Sequence, residues 1–411
     1  MSGGTWPAAP KRSDDGARER LPASVDPCRG ELRPAPDRPD VREDPSLSAS
    51  PPSALRTKAD GDRLVHLQAL RGVAATLVVL SHAIAAMGEL GLFPADIEAP
   101  FDNLGYVGVS IFFVISGFII FKTSRNLAEN WSGAKNFIIK RAIRIYPIYW
   151  LSTLLVFLLS PHRSQYGLSE IVCSLLLIPH FNPVGGNLHP MLGQGWTLDY
   201  EILFYAIFFL TIPLGRRAGP PVALSLLIAI VAFGTTIMGI SDTSEPTSVL
   251  AYWSRPIVLL FTFGVAIGFM QERGFAGNRI GWPLAWVLAL LVLIMAVGTI
   301  GIPHKTLIRF PIVFVLWIPC VLCVAACVFG RGAEGRLEMW MHRFGDASYS
   351  TYLFHTFILS LLLRLKFYEH GVLGFILAAV VLSNLLGWAL YVGLETRTIR
   401  FLRLRLLPRG G

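Results

Sequence analysis

Residues 67–89 read LQALRGVAATLVVLSHAIAAMGE. A helix needs about 20 predominantly apolar residues to cross the hydrocarbon of a bilayer, and this run is long enough. Before its terminal Glu89, its only ionisable groups are Arg71 and His82. Such groups are costly inside an apolar span, so each is a functional candidate. At about 100° per residue, a separation of eleven residues is close to three full turns, so the two share one face, about 16 Å apart along the axis. Arg71 then sits near the inner boundary and His82 past the midplane. A cationic anchor below a proton acceptor suits a long anionic donor entering from the cytoplasm. A snorkelling arginine and a helix-packing histidine fit the spacing equally well.

The rest of the chain continues this pattern. Of 411 residues, 53% are hydrophobic and 15% charged, and the mean hydropathy is +0.54. Soluble domains carry about 25% charged residues. The composition therefore predicts an all-α, polytopic membrane protein with about ten transmembrane helices. Their expected limits are 67–89, 105–122, 143–160, 196–214, 222–240, 254–271, 282–300, 308–329, 348–367 and 371–394. The run 171–178 is too short to span and reads as re-entrant or interfacial. No internal repeat is visible, which argues against a transporter built from two related halves.

Lys and Arg sort unevenly between alternate loops. One side holds Lys122, Arg125, Lys135, Lys140, Arg141 and Arg144, then Arg216, Arg217, Arg273, Arg279, Arg331, Arg336 and Arg343, and finally Arg397 to Arg409. The other side holds Arg163, Arg255, Lys305, Arg309, Arg364 and Lys366. This bias of about threefold predicts that both termini are cytoplasmic. It also accounts for the net charge of +9 without nucleic acid. No secretory signal is visible, so the first span is expected to direct insertion itself.

Three regions follow. Residues 1–62 are expected to form a disordered polar tail, rich in Pro and mixed charge. Residues 63–396 form the membrane domain, and 397–411 a basic cytoplasmic tail. Cys320, Cys323 and Cys327 recur at helical spacing without a second ligand cluster and read as helix-packing residues, not metal ligands. His162, His180, His189, His304 and His370 lack metal-ligand spacing. No metal is expected.

Further candidates sit in the later spans. Gly105–Phe118 contains Ser116 and Gly117, which permit close helix approach. Arg141 and Arg144 share a helix face at the expected inner surface, where paired guanidinium groups suit phosphate; a topological signal fits them equally well. Pro147 is expected to break or kink that helix. In Gly195-Trp-Thr-Leu-Asp-Tyr-Glu201, Glu201 lies at a depth like that of His82. It could orient the imidazole or activate an acceptor hydroxyl. Asp199 lies nearer the interface and is more easily solvated, and Tyr200 is a further pocket candidate. In Ser348-Tyr-Ser-Thr-Tyr-Leu-Phe-His355, Tyr352 and His355 are neighbours at i, i+3 and could help close a polar cavity.

Taken in order, Arg71-x10-His82, the Ser-Gly-Phe segment, Arg141-x-x-Arg144 with Tyr-Pro-x-Tyr, Gly-Trp-Thr-Leu-x-Tyr-Glu201 and Ser-Tyr-Ser-x-Tyr-Leu-x-His355 resemble the acyltransferase 3 family of membrane O-acyltransferases. The resemblance runs from about residue 64 to 394 and is nearest to the branch that acetylates exopolysaccharides such as succinoglycan. It implies ten spans in the bacterial inner membrane and transfer from cytoplasmic acyl-CoA, usually acetyl-CoA, to a glycan handled at the outer face. The acceptor could be lipid-linked and presented by polysaccharide assembly machinery. The family's essential histidine corresponds to His82, its motif arginine to Arg71, and its arginine pair to Arg141 and Arg144. Many members carry an acidic residue where this chain has Ser110, and the exopolysaccharide branch often has Asn where Asp199 stands. O-antigen, peptidoglycan, lipid or a glycosylated small molecule are alternative acceptors. A glycan-precursor transporter is the alternative of another class.

Overall fold

The computed structural model describes residues 53–92, 103–241, 245–275, 308–330 and 342–407, with Phe101, Thr243, Val287, Leu290, Leu293 and Thr306. Among these residues the structure is helical, with no strand and one isolated bridge between Asn182 and Asn187. Most of the expected polar tail, and the expected span 282–300 apart from Val287, Leu290 and Leu293, lie outside the described residues.

Helix α1 runs Ser53–Glu89. It thus reaches back into the segment expected to be disordered. The sequence there offers no proline between Pro52 and the apolar span, so a helix nucleated in the span can propagate backwards. Helix α2 is Asn103–Ser124 and α3 is Trp131–Leu159. The N-cap Asn130 starts α3, its side chain accepting from the Gly133 N–H at 2.9 Å. Pro147 lies inside α3, which continues through it, so the expected break is not made. One consequence is that Arg141 and Arg144 are well inside a helix and not in the loop before one.

Helix α4, Leu168–Leu176, falls on the run too short to span. Three side chains of α3 donate to the carbonyls at its C-terminal end: Tyr149 to Ser174 (2.6 Å), Trp150 to Leu175 (2.8 Å) and Tyr146 to Leu176 (3.2 Å). The Ser174 carbonyl also accepts from the C-cap Leu177 N–H at 3.3 Å, and the aromatic donors complete this helix end and fix α4 against α3.

Helices α5 (Trp196–Thr211) and α6 (Gly215–Thr236) are joined by a turn at Ile212–Leu214. Gly215, at φ +85°, supplies the backbone conformation that the turn needs. Then follow α7 (Val249–Trp253), α8 (Leu259–Glu272), α9 (Phe314–Phe329), α10 (Ser348–Arg364) and α11 (Val372–Leu390). A π-helical turn, Tyr391–Glu395, leads into α12, Thr396–Leu406. The expected basic tail therefore begins as a continuation of the preceding helix.

Among the described residues, five helical runs are long and apolar enough to cross a membrane: Val65–Glu89, Asn103–Ser124, Trp131–Leu159, Gly193–Thr236 and Val372–Leu406. Pro256–Glu272 and Phe314–Phe329 are shorter apolar helices at two further expected spans. The chain is a membrane protein.

Helix α2 sits between α1 and α8. At Gly117 it meets the backbone of Phe261, and at Gly264 α8 meets the backbone of Val114. A side chain at either position would enter the facing carbonyl, so the glycines set how closely these helices cross. Cys320, Cys323 and Cys327 are buried free thiols on α9, packed into the same apolar core.

Candidate functional site

A cleft opens between α1, α2, α3, α5 and α10. The polar lining comes from Arg71, Ser116, Arg141, Arg144, Thr197, Glu201, Tyr349 and Tyr352, and Phe112, Phe113 and Ile145 are among the apolar walls.

Three arginines converge here from two helices. Arg71 is buried, and its Nη1 donates to Gln68 Oε1 at 2.8 Å. Gln68 in turn donates to Asp346 Oδ1 at 2.9 Å, and His342 Nδ1 lies 3.3 Å from the other carboxylate oxygen. Arg141 is also buried. Its Nη2 donates to Thr123 at 3.0 Å, and its guanidinium lies over the rings of Phe137 and Tyr205. Cation–π contact of this kind fixes the plane of the guanidinium. Arg144, one turn further along α3, completes the trio in the lining.

Glu201 faces these arginines across the cleft. Its Oε1 accepts from Ser116 Oγ at 3.1 Å and from the Tyr205 hydroxyl one helical turn away. The carboxylate is thus held by α2 and by its own helix. Tyr352 is fixed on the other side of the cleft. Its hydroxyl donates to the Gln194 carbonyl at 3.0 Å and lies 2.9 Å from Thr197 Oγ1. Tyr349 donates to the Ile145 carbonyl at 2.8 Å. Gln194 also donates to the Leu353 carbonyl and to Thr356, hooking the start of α5 onto α10.

His82 is not in the cleft lining. It lies beside His355 of α10, with His82 Nδ1 3.1 Å from His355 Nε2 and the ring centroids 5.0 Å apart. His355 follows Tyr352 by one turn, so the pair adjoins the end of the cleft where Tyr352 meets Phe112. His82 is exposed, whereas His355 is fully buried. His82 therefore pairs with His355, and its ring also has the Val78 carbonyl, one turn back on α1, as a hydrogen-bond partner. Glu201 is bound instead to Ser116 and Tyr205.

Two further expectations change. Asp199 is fully buried instead of solvated, because its face of α5 turns onto Tyr252, whose hydroxyl lies 3.3 Å from Oδ2. Tyr200 stands apart from the cleft: it stacks on Tyr252 at 4.8 Å and donates to the Tyr252 carbonyl. Arg71, Arg141, Arg144, Glu201 and Tyr352 do share one cavity.

Sequence reasoning passed over Ser116, Tyr205, Tyr349, Gln68 and Glu395. Tyr205 and Gln68 carried a usable signal, lying at i+4 of Glu201 and i−3 of Arg71. Ser116 carried none, since serine beside glycine in an apolar helix reads as packing. Glu395 is buried in the π-helical turn and accepts from Ser350 at 2.6 Å. Such turns concentrate at functional sites, and a hydropathy profile does not reveal them. Among the described residues no group of three or more His, Cys, Asp or Glu side chains is gathered to hold a metal.

Residues 64–392 match the family model described as "Acyltransferase domain". The chain is 33% identical over 319 residues to the exopolysaccharide production protein ExoZ of Rhizobium meliloti (strain 1021), covering 75% of this chain and 94% of that protein. It is 25% identical over 227 residues to an O-acetyl transferase of Shigella phage Sf6, covering 51% of this chain and 63% of that protein. It is 24% identical over 293 residues to acyltransferase MdmB of Streptomyces mycarofaciens, covering 66% of this chain and 71% of that protein. No solved structure matches the chain significantly.

Proposed function

The chain belongs to the acyltransferase 3 family and is an O-acyltransferase, and on that premise we propose that it moves an acetyl group from cytoplasmic acetyl-CoA to a hydroxyl of an exopolysaccharide or its lipid-linked precursor. The observation that carries this reading is the convergence of Arg71, Arg141 and Arg144 in one cleft, with Arg71 on the helix that also bears His82.

CoA is a long donor with phosphates at one end and a thioester at the other. Guanidinium groups are suited to the phosphates, and three are gathered at one site. Arg71 and His82 are about 16 Å apart along α1, a span that an extended pantetheine arm covers. The arginines then hold the phosphates while the thioester reaches the end of the cleft near His82.

His82 acts there as the general base. The acceptor hydroxyl oxygen attacks the thioester carbon as its proton passes to His82 Nε2. The tetrahedral intermediate collapses, the carbon–sulfur bond breaks, and the same proton returns to the CoA thiolate. The products are the sugar O-acetyl ester and free CoA, and no other reactant is consumed. Glu201 balances the arginines and, held by Ser116 and Tyr205, assists the acceptor. Tyr200 is left in a packing role, and Tyr352 shapes the passage from the cleft to His82.

The acceptor assignment rests on the similarity to the exopolysaccharide production protein ExoZ. The same reading has ten spans, both termini in the cytoplasm and the protein in the bacterial inner membrane. The membrane domain is residues 63–396, between polar segments 1–62 and 397–411.

The test is the O-acetyl content of extracellular polysaccharide in cells lacking the gene, complemented with wild type or His82→Ala at matched membrane levels. Acetyl restored by wild type alone supports the reading. Equal restoration by both removes His82 from the chemistry. An unchanged acetyl content on deletion moves the acceptor to O-antigen, peptidoglycan, lipid or a glycosylated small molecule. Rapid quenching with labelled acetyl-CoA and no acceptor tests the direct route, because label retained on the protein would replace it with an acyl-histidine relay.

A further inference from the structure

We propose that His355 is a positioning residue that fixes the tautomer of His82, leaving its Nε2 lone pair free for the acceptor hydroxyl. The argument starts from a carbonyl. His355 Nδ1 lies 2.7 Å from the Tyr352 carbonyl oxygen. A carbonyl only accepts, so Nδ1 of His355 carries the proton. A neutral imidazole has one N–H, and Nε2 of His355 is then the acceptor. That nitrogen lies 3.1 Å from Nδ1 of His82, which must therefore be the donor. With its proton on Nδ1, neutral His82 has an unprotonated Nε2.

The order Tyr352 carbonyl, His355, His82 is thus a one-directional chain of donors. Its start is rigid, because the Tyr352 backbone lies within α10 and the Tyr352 side chain is tied to Gln194 and Thr197. His355 is fully buried, so no water competes for Nε2, whereas His82 is exposed. The arrangement assigns a neutral histidine to the orienting task that a buried carboxylate performs in serine hydrolases. A neutral orienter adds no negative charge beside a thioester donor that is itself polyanionic.

The inference rests on the reading of His82 as the base, and its test separates the two. The protein is labelled with 15N-histidine, placed in nanodiscs and studied by solid-state NMR, with the His82→Ala spectrum subtracted to isolate His82. Wild type is expected to show His82 protonated at Nδ1 and bare at Nε2. A proton on Nε2 of neutral His82 overturns the proposal whatever the activity. In parallel, acetyl transfer is measured for His355→Phe, which keeps the ring shape without an acceptor, and for His355→Gln, whose amide oxygen can accept from His82. His355→Phe is expected to lower kcat by about tenfold to a hundredfold with an unchanged KM for acetyl-CoA. His355→Gln is expected to recover most of that loss. Equal loss in both variants overturns the positioning role. If the NMR signature holds while His82→Ala remains fully active, it is the base assignment that fails and not the tautomer chain.

Discussion

Helices α1 and α2 are no more distinctive in hydropathy than the helices around them, yet they occupy a different place in the molecule. The most apolar windows of the five candidate spans have mean hydropathies of 1.7 to 2.3. Burial divides them. The windows of α1 and α2 are 61% and 72% buried, whereas those in α3, in the α5–α6 run and in the α11–α12 run are 28% to 33% buried. Hydropathy reports that a helix tolerates apolar surroundings and does not say whether those are lipid or protein. The small residues of α2 and its partner α8 make the difference, because they let backbones meet. The central helices carry Arg71, His82 and Ser116, while the rim helices turn only one face inward, and α3 and α5 present Arg141, Arg144 and Glu201 on it.

Five substitutions would break or sharpen this contrast. The largest effect is expected at His82. His82→Ala should lower acetyl transfer by about 10²- to 10⁴-fold, the usual worth of a general base, with membrane levels unchanged. Next, Arg144→Gln should raise KM for acetyl-CoA by about 10- to 100-fold with a smaller change in kcat, since a charge-assisted hydrogen bond is worth about 1.5–3 kcal/mol. Equal weakening of every substrate, including donors without the nucleotide phosphates, would remove Arg144 from phosphate binding. Packing comes third. Gly264→Leu should lower the melting temperature in detergent by several degrees through overpacking of about 1–3 kcal/mol, whereas Val381→Ala on the exposed face of α11 should stay within about 0.5 kcal/mol. If the two behave alike, the division into centre and rim has no energetic content. The smallest effect belongs to Ser116→Ala. It removes one of two hydrogen bonds to Glu201 and should cost a few-fold in kcat, as expected for about 0.5–1.5 kcal/mol.

Much of the helical layout was legible because membrane insertion writes itself into composition: a helix of some twenty apolar residues cannot hide. The functional candidates were legible for the same reason, since an arginine or histidine within such a helix stands out against apolar neighbours. Boundaries were less so. The helical course of α3 through Pro147 and the backward reach of α1 depend on packing and helix propagation, which no hydropathy window contains. Asp199 was misjudged because depth along a helix was used to infer solvation, and depth says nothing about which neighbour a face meets.

The sequence by itself determined that this is an apolar, helical membrane acyltransferase, that Arg71 and His82 share a face of one helix, and that an arginine pair and a glutamate accompany them. These are properties of composition, period and motif order, all local along the chain. Only the tertiary structure decided that Glu201 binds Ser116 and Tyr205, that His82 is held by His355, and that Tyr200 leaves the cleft for Tyr252. His82 and His355 are separated by most of the membrane domain, and no helical period relates them. Their meeting depends on how α1 and α10 are rotated against each other, which is settled by close packing such as that of Gly345 on the Gln68 backbone, and not by either helix alone.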